Sequence, residues 1–377
     1  MNSHSIDVQP VITGRQQRQF MKFAWDHYRG DPNWVPPLRD NFKQLVGFKP
    51  HPFYDRNQVR TFLATQAGRV VGRIAAIIDV GHNQRYDEPR GMFGFFESID
   101  DQAVADALFD AAREWLESEG MTCIRGPNNP SLNNECALLI DGFDHPPTFM
   151  MPYNKPYYAD LIEGWGFEKS QDMYAYWGHI DMLKDLDPKM QFIIEETQRR
   201  FNMHVRRVDP KNLRRDVEIF LNIYNQALSA QWGFVPLSAA EVQHTADGLK
   251  HLIIPEVTTI IEVDEEPVAV VFGLLDYNPL IKKIDGRLFP FGFLRLLWGR
   301  RKLNKVRLVG TYVVPKFQKW GLGLVLMSRL LPDCRAWGIT EAEFSWVLES
   351  NKLSRGTLER GGAILQKTYR MYDRDFT

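Results

Sequence analysis

The stretch Val313-Val-Pro-Lys-Phe-Gln-Lys-Trp-Gly-Leu-Gly323 lies where a predicted strand, Val306–Val314, gives way to a predicted helix, Gly321–Trp337. The amino end of a helix presents backbone N–H groups without intrahelical partners and a positive dipole end, which suits a pyrophosphate. The two glycines remove Cβ atoms where backbone would approach phosphate oxygens, and Lys316 and Lys319 add positive charge. A plain strand–turn–helix junction explains the same letters. The G-x-G-x-x-G and G-K-[ST] fingerprints of other phosphate sites do not occur in it.

The elements around this stretch occur twice along the chain. In the second half, strand Glu341–Val347, helix Lys352–Arg360 and strand Ile364–Tyr372 follow the predicted helix, and in the first half the helix Asp101–Glu119 has the corresponding place. Both halves close with a helix, a glycine turn and a strand that ends in tyrosine, and duplication is the simplest cause of such a repeat. We therefore predict an N-terminal domain (1–182), a linker helix (183–202) and a C-terminal domain (203–377) with an apolar insert (279–305).

Composition limits the classes of function. The chain has 377 residues, 44% of them hydrophobic, and a net charge of −1, which favours a folded protein and argues against nucleic acid as a partner. The cysteines Cys123, Cys136 and Cys334 are scattered and lack metal-ligand spacing, so we expect reduced thiols, a cytoplasmic location and no metal. The apolar run Leu288–Trp298 is too short to span a membrane, and contact with a membrane surface stays open beside packing on its own domain.

The motif Gln318-x-x-Gly321-x-Gly323 resembles the [Q/R]-x-x-G-x-[G/A] signature of the GNAT superfamily of acyl-CoA N-acyltransferases. It has the place that the signature has in that family, after the fourth strand and at the start of the third helix. The resemblance covers Val205–Phe376 with a full motif and Val11–His179 through the order of elements. It implies an α/β (α+β) fold of two tandem GNAT-like domains, each a mixed, mostly antiparallel sheet flanked by helices.

The resemblance also implies a reaction. Acetyl-CoA or a longer acyl-CoA would lie where the sheet splays after its fourth strand, and the amine of a small molecule or peptide would attack the thioester directly. This predicts an acyl-CoA-dependent N-acyltransferase of the acetyltransferase kind. The residues that the resemblance assigns to CoA are Val313, Val314, Gln318, Lys319, Trp320, Gly321, Leu322, Gly323 and Asn351.

The catalytic groups are less defined by the sequence. The family often has a thiolate-protonating tyrosine in its fourth helix, where this chain has Leu358. Tyr312 is therefore the candidate acid, and departure of the thiolate without an acid is the alternative. Glu349, which follows the fifth strand, is the candidate base. Pro332 should kink or split the helix after the motif. A CoA-binding scaffold without activity and a Fem-type aminoacyl transferase remain as alternatives.

The first half differs at the corresponding turn, Glu97-Ser-Ile-Asp-Asp101, which is acidic and contains no glycine. Because an anionic pyrophosphate would be repelled there, we expect the first half to have lost CoA binding. The sequence decides neither the oligomeric state nor the acceptor.

Overall fold

The computed structural model describes residues 5–183 and 188–376, so residues 184–187 of the predicted linker lie outside the described residues. The first half of the chain forms the following elements: β1 (Asp7–Pro10), α1 (Gly14–His27), α2 (Arg39–Leu45), β2 (Gln58–Gln66), β3 (Arg69–Ile78), α3 (Val80–Tyr86), β4 (Arg90–Ser98), α4 (Gln102–Ser118), β5 (Cys123–Gly126), β6 (Asn128–Asn129), β7 (Glu135–Cys136), β8 (Leu138–Asp141), α5 (Tyr158–Gly164) and β9 (Glu168–His179).

The second half forms a similar series: α6 (Pro188–Arg200), β10 (Met203–Arg207), α7 (Leu213–Ala227), α8 (Ala239–Leu249), β11 (Thr258–Val263), β12 (Glu266–Leu275), α9 (Asn278–Lys283), α10 (Gly292–Gly299), β13 (Lys305–Val313), α11 (Leu322–Trp337), β14 (Glu341–Leu348), α12 (Lys352–Arg360) and β15 (Ile364–Asp375). Within residues 5–183 and 188–376, none of these helices has the length and apolarity needed to cross a bilayer.

The chain divides into two compact units whose boundaries differ from the predicted halves at three places. Unit 1 contains the residues up to Asp172, the segment Ile281–Leu288 and the chain from Lys367 onward. Unit 2 contains Met173–Leu280 and Phe289–Gln366. Each half of the sequence thus provides part of its last strand to the other unit. The assignment of separate roles to the predicted domains stays a prediction.

The sheet of unit 1 is antiparallel from β1 to β4 and parallel between β4 and β5. The carboxyl part of β15 then pairs antiparallel with β5, with Tyr372 opposite Gly126. Two apolar clusters form its core. One centres on Phe93, Phe109 and Tyr372, and the other on Phe20 and Phe42.

Unit 2 repeats this order. Strands β10 to β13 are antiparallel, β13 and β14 are parallel, and β14 pairs antiparallel with the part of β9 that begins at Met173. Helix α11 covers the sheet with Leu322, Val325 and Leu326, all of which are buried. Pro332 lies inside α11, and the helix continues through it to Trp337, so the predicted split does not occur. The predicted α/β fold, with a mixed sheet flanked by helices, is confirmed.

The last strand supplies a first testable prediction. Tyr372 is fully buried in the core of unit 1, and its hydroxyl donates to Glu163 Oε1 at 2.9 Å. Tyr372→Ala should lower the free energy of unfolding by about 3–5 kcal/mol, as truncation of a large buried aromatic does. Hydrogen exchange should show the lost protection in β4 and α4, although they lie far from residue 372 in the sequence.

Asp375→Ala, an exposed position at the end of the same strand, is the control and should change stability by less than about 0.5 kcal/mol. Loss of protection confined to β13 and α11 would contradict the assignment of this strand to unit 1.

Candidate active site

In unit 2 the strands β13 and β14 pair over a short stretch and then separate. Their parallel register runs from Lys305 opposite Glu341 to Leu308 opposite Phe344. The next residue, Val309, is an extra residue in β13, because Phe272 lies opposite Gly310 and Gly273 opposite Leu308. A bulge bends its strand and ends regular pairing. Beyond it a gap opens between the two strands, as the resemblance implied.

One edge of β13 faces this gap. The N–H of Val314 donates to the carbonyl of Val268 at 2.9 Å. Hydrogen-bonded pairs alternate along an antiparallel ladder, so Tyr312 also bonds to β12, whereas the N–H groups of Thr311 and Val313 face the gap. The predicted backbone contact of Val314 with a ligand therefore cannot use its N–H, which already has an acceptor.

The turn after β13 leaves a row of donors open at the mouth of the gap. A 3₁₀ turn, Pro315–Phe317, is followed by Lys319 with φ 71° and Gly321 with φ 82°, and α11 begins at Leu322. Across the described ranges, no carbonyl or side chain accepts from the backbone N–H groups of Lys319 to Gly323. Five successive open donors therefore lie at the amino end of α11, where the helix dipole is positive, which suits an anion.

The two glycines of the motif have different structural reasons. Gly321 needs its positive φ, and a Cβ built on it would lie 2.5 Å from Ile193 Cγ2 and 2.7 Å from Thr197 Oγ1 of α6. At Gly323, the nearest atom to such a Cβ is Thr311 Cγ2 at 3.4 Å, an ordinary contact. The protein itself thus requires glycine at 321 and leaves room for a side chain at 323.

Helix α6 supports the turn from outside the sheet. Thr197 Oγ1 donates to the carbonyl of Trp320 at 2.6 Å, and the Arg200 guanidinium lies over the Trp320 ring at 3.9 Å. This helix was predicted only as a linker. Its role in holding the turn could not be read from the sequence, because the pattern of α6 gives no partner for its buried face.

The other residues that were predicted to bind CoA differ in their exposure and in their contacts. Gln318 donates from Nε2 to the carbonyl of Val313 at 3.0 Å, so its side chain ties the turn to the strand. Lys319 and Trp320 are exposed beside the open donors, and Leu322 is buried under the first turn of α11. Asn351 caps α12, with its side-chain oxygen accepting from Ser354 N at 3.1 Å.

Tyr312 is the best-defined polar side chain near the bulge. It is buried against Phe220 and Tyr224 of α7, and its hydroxyl donates to the bulge carbonyl of Val309 at 3.3 Å. Burial raises the pKa of Tyr312 to about 12, opposed by the charge of Arg307. The phenol therefore keeps its proton at neutral and moderately alkaline pH and can serve as a hydrogen-bond donor.

Glu349 and Leu358 lie on the β14 side of the gap. Glu349 is half-buried between β14 and α12, and its backbone carbonyl accepts from Arg355 Nη1 at 3.1 Å. It stands after the carboxyl end of β14, as the glycine turn stands after the carboxyl end of β13. Leu358 is half-buried in α12, where Tyr176 of β9 donates to the neighbouring Glu359 at 2.8 Å.

A buried charged cluster at the closed end of the gap was missed in the sequence. Glu343 is fully buried and accepts from Ser345 Oγ at 3.0 Å, and Arg307 Nε donates to the same Oγ at 2.9 Å. The alternation of residues along β14 does not tell from the sequence whether Glu343 is buried or exposed. Glu343 lies opposite Arg307 in the third of the four residue pairs between β13 and β14. The cluster therefore fixes the two strands just before they separate.

The equivalent gap in unit 1 is filled by its own chain. Strands β4 and β5 pair in parallel only from Arg90 to Met92, and Phe95 has φ 50°. The backbone N–H of Phe95 donates to Asn129 Oδ1 at 2.6 Å, and a Cβ on Gly94 would lie 1.7 Å from the carbonyl oxygen of Asn128. The loop 126–134, which contains four asparagines, therefore occupies the place that is open in unit 2.

The two carboxylates at the ends of the acidic turn of unit 1, Glu97 and Asp101, have different surroundings. Glu97 is largely buried and accepts from Tyr28 and Tyr158 at 2.8 and 2.6 Å, and burial raises its pKa. Its carboxylate thus points away from the anion position. Asp101 lies at the amino end of α4, the place where an anion would bind, and its Oδ1 caps the helix by accepting from Ala103 N at 2.9 Å.

One family model and two known proteins match this chain in sequence. The model of the acetyltransferase (GNAT) family matches residues 227–362, which include the gap and the glycine turn. Protein YghO of Escherichia coli (strain K12) is 35% identical over 97% of this chain and 95% of its own length. The bacterial ceramide synthase of Caulobacter vibrioides is 34% identical over 98% of this chain and 97% of its own.

The chain belongs to the GNAT acyltransferase family. A tandem GNAT protein from the clavulanic acid biosynthesis pathway has the same fold, with a TM-score of 0.57 at 13% identity and 98% of each chain covered. A GCN5-related N-acetyltransferase from Sphaerobacter thermophilus has a TM-score of 0.53 at 10% identity over 98% and 95%. The tandem GNAT architecture is thus confirmed, and this acyltransferase belongs to a family that uses acyl-CoA as co-substrate.

The crowding of the turn by α6 gives a second prediction. Gly338, at the carboxyl end of α11, also has a positive φ, but nothing lies within 4 Å of a Cβ built there. Gly338→Ala should cost about 1–2 kcal/mol from the left-handed backbone alone. Gly321→Ala should cost about 1–3 kcal/mol more, because the methyl group overpacks against α6.

Urea unfolding of the two variants measures this difference. In a double-mutant cycle, Ile193→Ala should restore part of the additional unfolding free energy that Gly321→Ala loses. It should restore none of the unfolding free energy that Gly338→Ala loses. Equal costs for the two glycine variants would contradict the contact between α6 and the turn.

Proposed function

We propose that this acyltransferase moves a long-chain acyl group from CoA to the primary amine of a long-chain amino alcohol, in the gap of unit 2. The observation that carries the CoA part is the row of five open N–H donors, Lys319–Gly323, at the mouth of that gap. In this proposal the pyrophosphate accepts from these donors, with Lys316 and Lys319 beside it. The pantetheine arm lies along β13 and bonds to the N–H groups of Thr311 and Val313.

The reaction follows from this position. The amine nitrogen bonds to the thioester carbon, the carbonyl oxygen becomes an oxyanion, and its collapse breaks the carbon–sulfur bond to release CoA thiolate. Hydrogen-bond donors at the developing charge stabilise such a transition state. Tyr312 is the proposed donor, because its hydroxyl lies at the bulge and its high pKa keeps it protonated. The attacking amine loses a proton, for which Glu349 stays the predicted acceptor.

The name of one relative supports long hydrocarbon chains over an acetyl group, and an apolar cleft is the place where we propose that a chain enters. The relative from Caulobacter vibrioides is named a ceramide synthase, and ceramide joins a fatty acyl group to a long-chain amino alcohol through an amide. In this chain, α7, α8 and the sheet enclose a cleft lined mainly by apolar side chains such as Leu221, Ala246 and Ile253. Its volume of about 30 Å³ holds only about two water-sized groups, so it would have to widen to take a chain. Phe220 forms one wall of this cleft and also touches Tyr312. Movement of Phe220 would join the cleft to the reactive position.

In unit 1 the corresponding backbone donors already have acceptors from the chain itself, which supports the absence of a CoA site there. Asn129 occupies the bulge N–H, and Asp101 occupies the helix terminus. We therefore propose one acyl-CoA per chain.

The binding part of the proposal is tested with Gly323→Asp. An aspartate in the first turn of α11 favours the helix dipole, and position 323 has room for it, so stability should stay within about 0.5 kcal/mol. The carboxylate would meet the phosphates, so affinity for palmitoyl-CoA should fall at least tenfold. Calorimetry on the unchanged protein should give one site per chain.

Gly248→Asp is the matched control, because it adds the same charge at an open position of α8. Unchanged CoA affinity in Gly323→Asp would overturn the proposed phosphate site. Two sites per chain would overturn the inference about unit 1.

The catalytic part is tested with Tyr312→Phe, which keeps the ring and removes the hydroxyl. Thiol release from palmitoyl-CoA with sphinganine should show a kcat about 10²-fold lower, the usual loss for one such donor, with little change in KM. Tyr277→Phe is the matched control, since Tyr277 is also buried, bonds to the carbonyl of Leu252 at 3.1 Å and has its pKa raised to about 12.

Full activity of Tyr312→Phe would contradict the proposed role of Tyr312 as a hydrogen-bond donor. A preference for acetyl-CoA in the same assay would overturn the long-chain proposal. CoA binding without thiol release for any amine would instead favour a CoA-binding scaffold.

A further inference from the structure

Segment Phe289–Lys302 of unit 2, the aromatic segment hereafter, exposes large apolar side chains. Phe289, Phe291 and Trp298 are 72, 73 and 75% exposed, and Phe293 is partly exposed. The segment has its own anchor, because Leu296 of α10 is buried and a Cβ on Gly299 would lie 2.8 Å from Leu280 of α9. The aromatic side chains are therefore presented to the outside from a helix that is fixed on its other face.

The charged residues in and directly beside the aromatic segment have one sign. Residues 286–305 contain six lysines and arginines and no aspartate or glutamate, although the whole chain has 46 cationic and 47 acidic residues. Arg301 and Lys302 are exposed at the end of the segment, and the Arg301 guanidinium lies over the Trp337 ring at 3.8 Å. An apolar surface with a cationic border is complementary to a layer of anionic headgroups over hydrocarbon.

We infer that the aromatic segment docks unit 2 on the surface of an anionic phospholipid bilayer. Exposed phenylalanine and tryptophan side chains enter the interfacial layer of a membrane, and adjacent lysine and arginine side chains bind its phosphates. An acidic protein partner would match the cations but would leave the protruding aromatic rings in water unless it had a complementary apolar pocket. The bilayer matches both features.

The place of the segment in the fold fits this role. The Arg301–Trp337 contact puts it at the carboxyl end of α11, whereas the glycine turn is at the amino end. A helix of 16 residues is roughly 24 Å long, so membrane contact leaves the turn open to water-soluble CoA. The bulge at Val309 lies between them, four residues along β13 from Lys305 and therefore roughly 13 Å from the membrane end.

Co-sedimentation with vesicles tests this inference without any substrate. The full chain should bind vesicles of phosphatidylcholine mixed with phosphatidylglycerol and bind pure phosphatidylcholine at least tenfold more weakly. The triple variant Phe289→Ser, Phe291→Ser, Trp298→Ser should lose at least tenfold in partition coefficient on the mixed vesicles. The pair Arg301→Gln, Lys302→Gln should bind more weakly at low salt and respond less to added salt.

The matched control is Ile12→Ser, Phe192→Ser, Leu353→Ser, which removes three comparably exposed apolar side chains elsewhere. Circular dichroism and thermal unfolding, measured on all variants, check that they are folded and do not depend on the proposed reaction. Failure of the unchanged protein to bind mixed vesicles, or equal binding by the two triple variants, would overturn the inference. Binding to an acidic acyl carrier protein but not to vesicles would overturn it in favour of a protein partner.

Discussion

The second unit depends on the position at which the hydrogen bonds between β13 and β14 stop. Four residue pairs hold the strands together, and the extra residue Val309 then turns β13 away. Arg307 and Glu343 are both buried and lie opposite each other near the end of the paired stretch of β13 and β14, so the separation of the strands begins at a fixed point. An unsatisfied buried backbone group costs about 1–3 kcal/mol, so a gap of this kind is stable only if something polar occupies it.

The two units satisfy this constraint in different ways. In unit 1 a loop of the same chain enters the gap, and the amide of Asn129 accepts from Phe95 N. In unit 2 no described loop enters, and the N–H groups of Thr311 and Val313 face the open space. A duplicated fold can therefore keep its sheet in both copies while one copy keeps an open gap, because a short polar loop performs for the first sheet what the proposed ligand would perform for the second.

The sequence predicted the parts of this structure that depend on local pattern. The helix that begins after Gly321 and ends at Trp337, and the strands on either side of it, follow from periodicity and turn residues, and they lie within a few residues of the predicted bounds. It could not predict which unit receives the end of β15 or of β9, because the same alternating strand fits the same position in either sheet. It also left Glu343 undecided, since alternation alone does not tell which face of β14 is buried.

The glycine turn joins these observations, because its shape depends on residues outside the motif. Gly321 adopts a positive φ against Ile193 and Thr197, and Thr197 holds the carbonyl of Trp320. With that carbonyl bound to α6, the N–H of Gly321, which belongs to the same planar peptide, is directed away from α6. The segment between the two halves of the sequence therefore sets the direction of this donor. The row of open donors is a property of the tandem chain, and residues 203–377 alone would lack the helix that holds it in place.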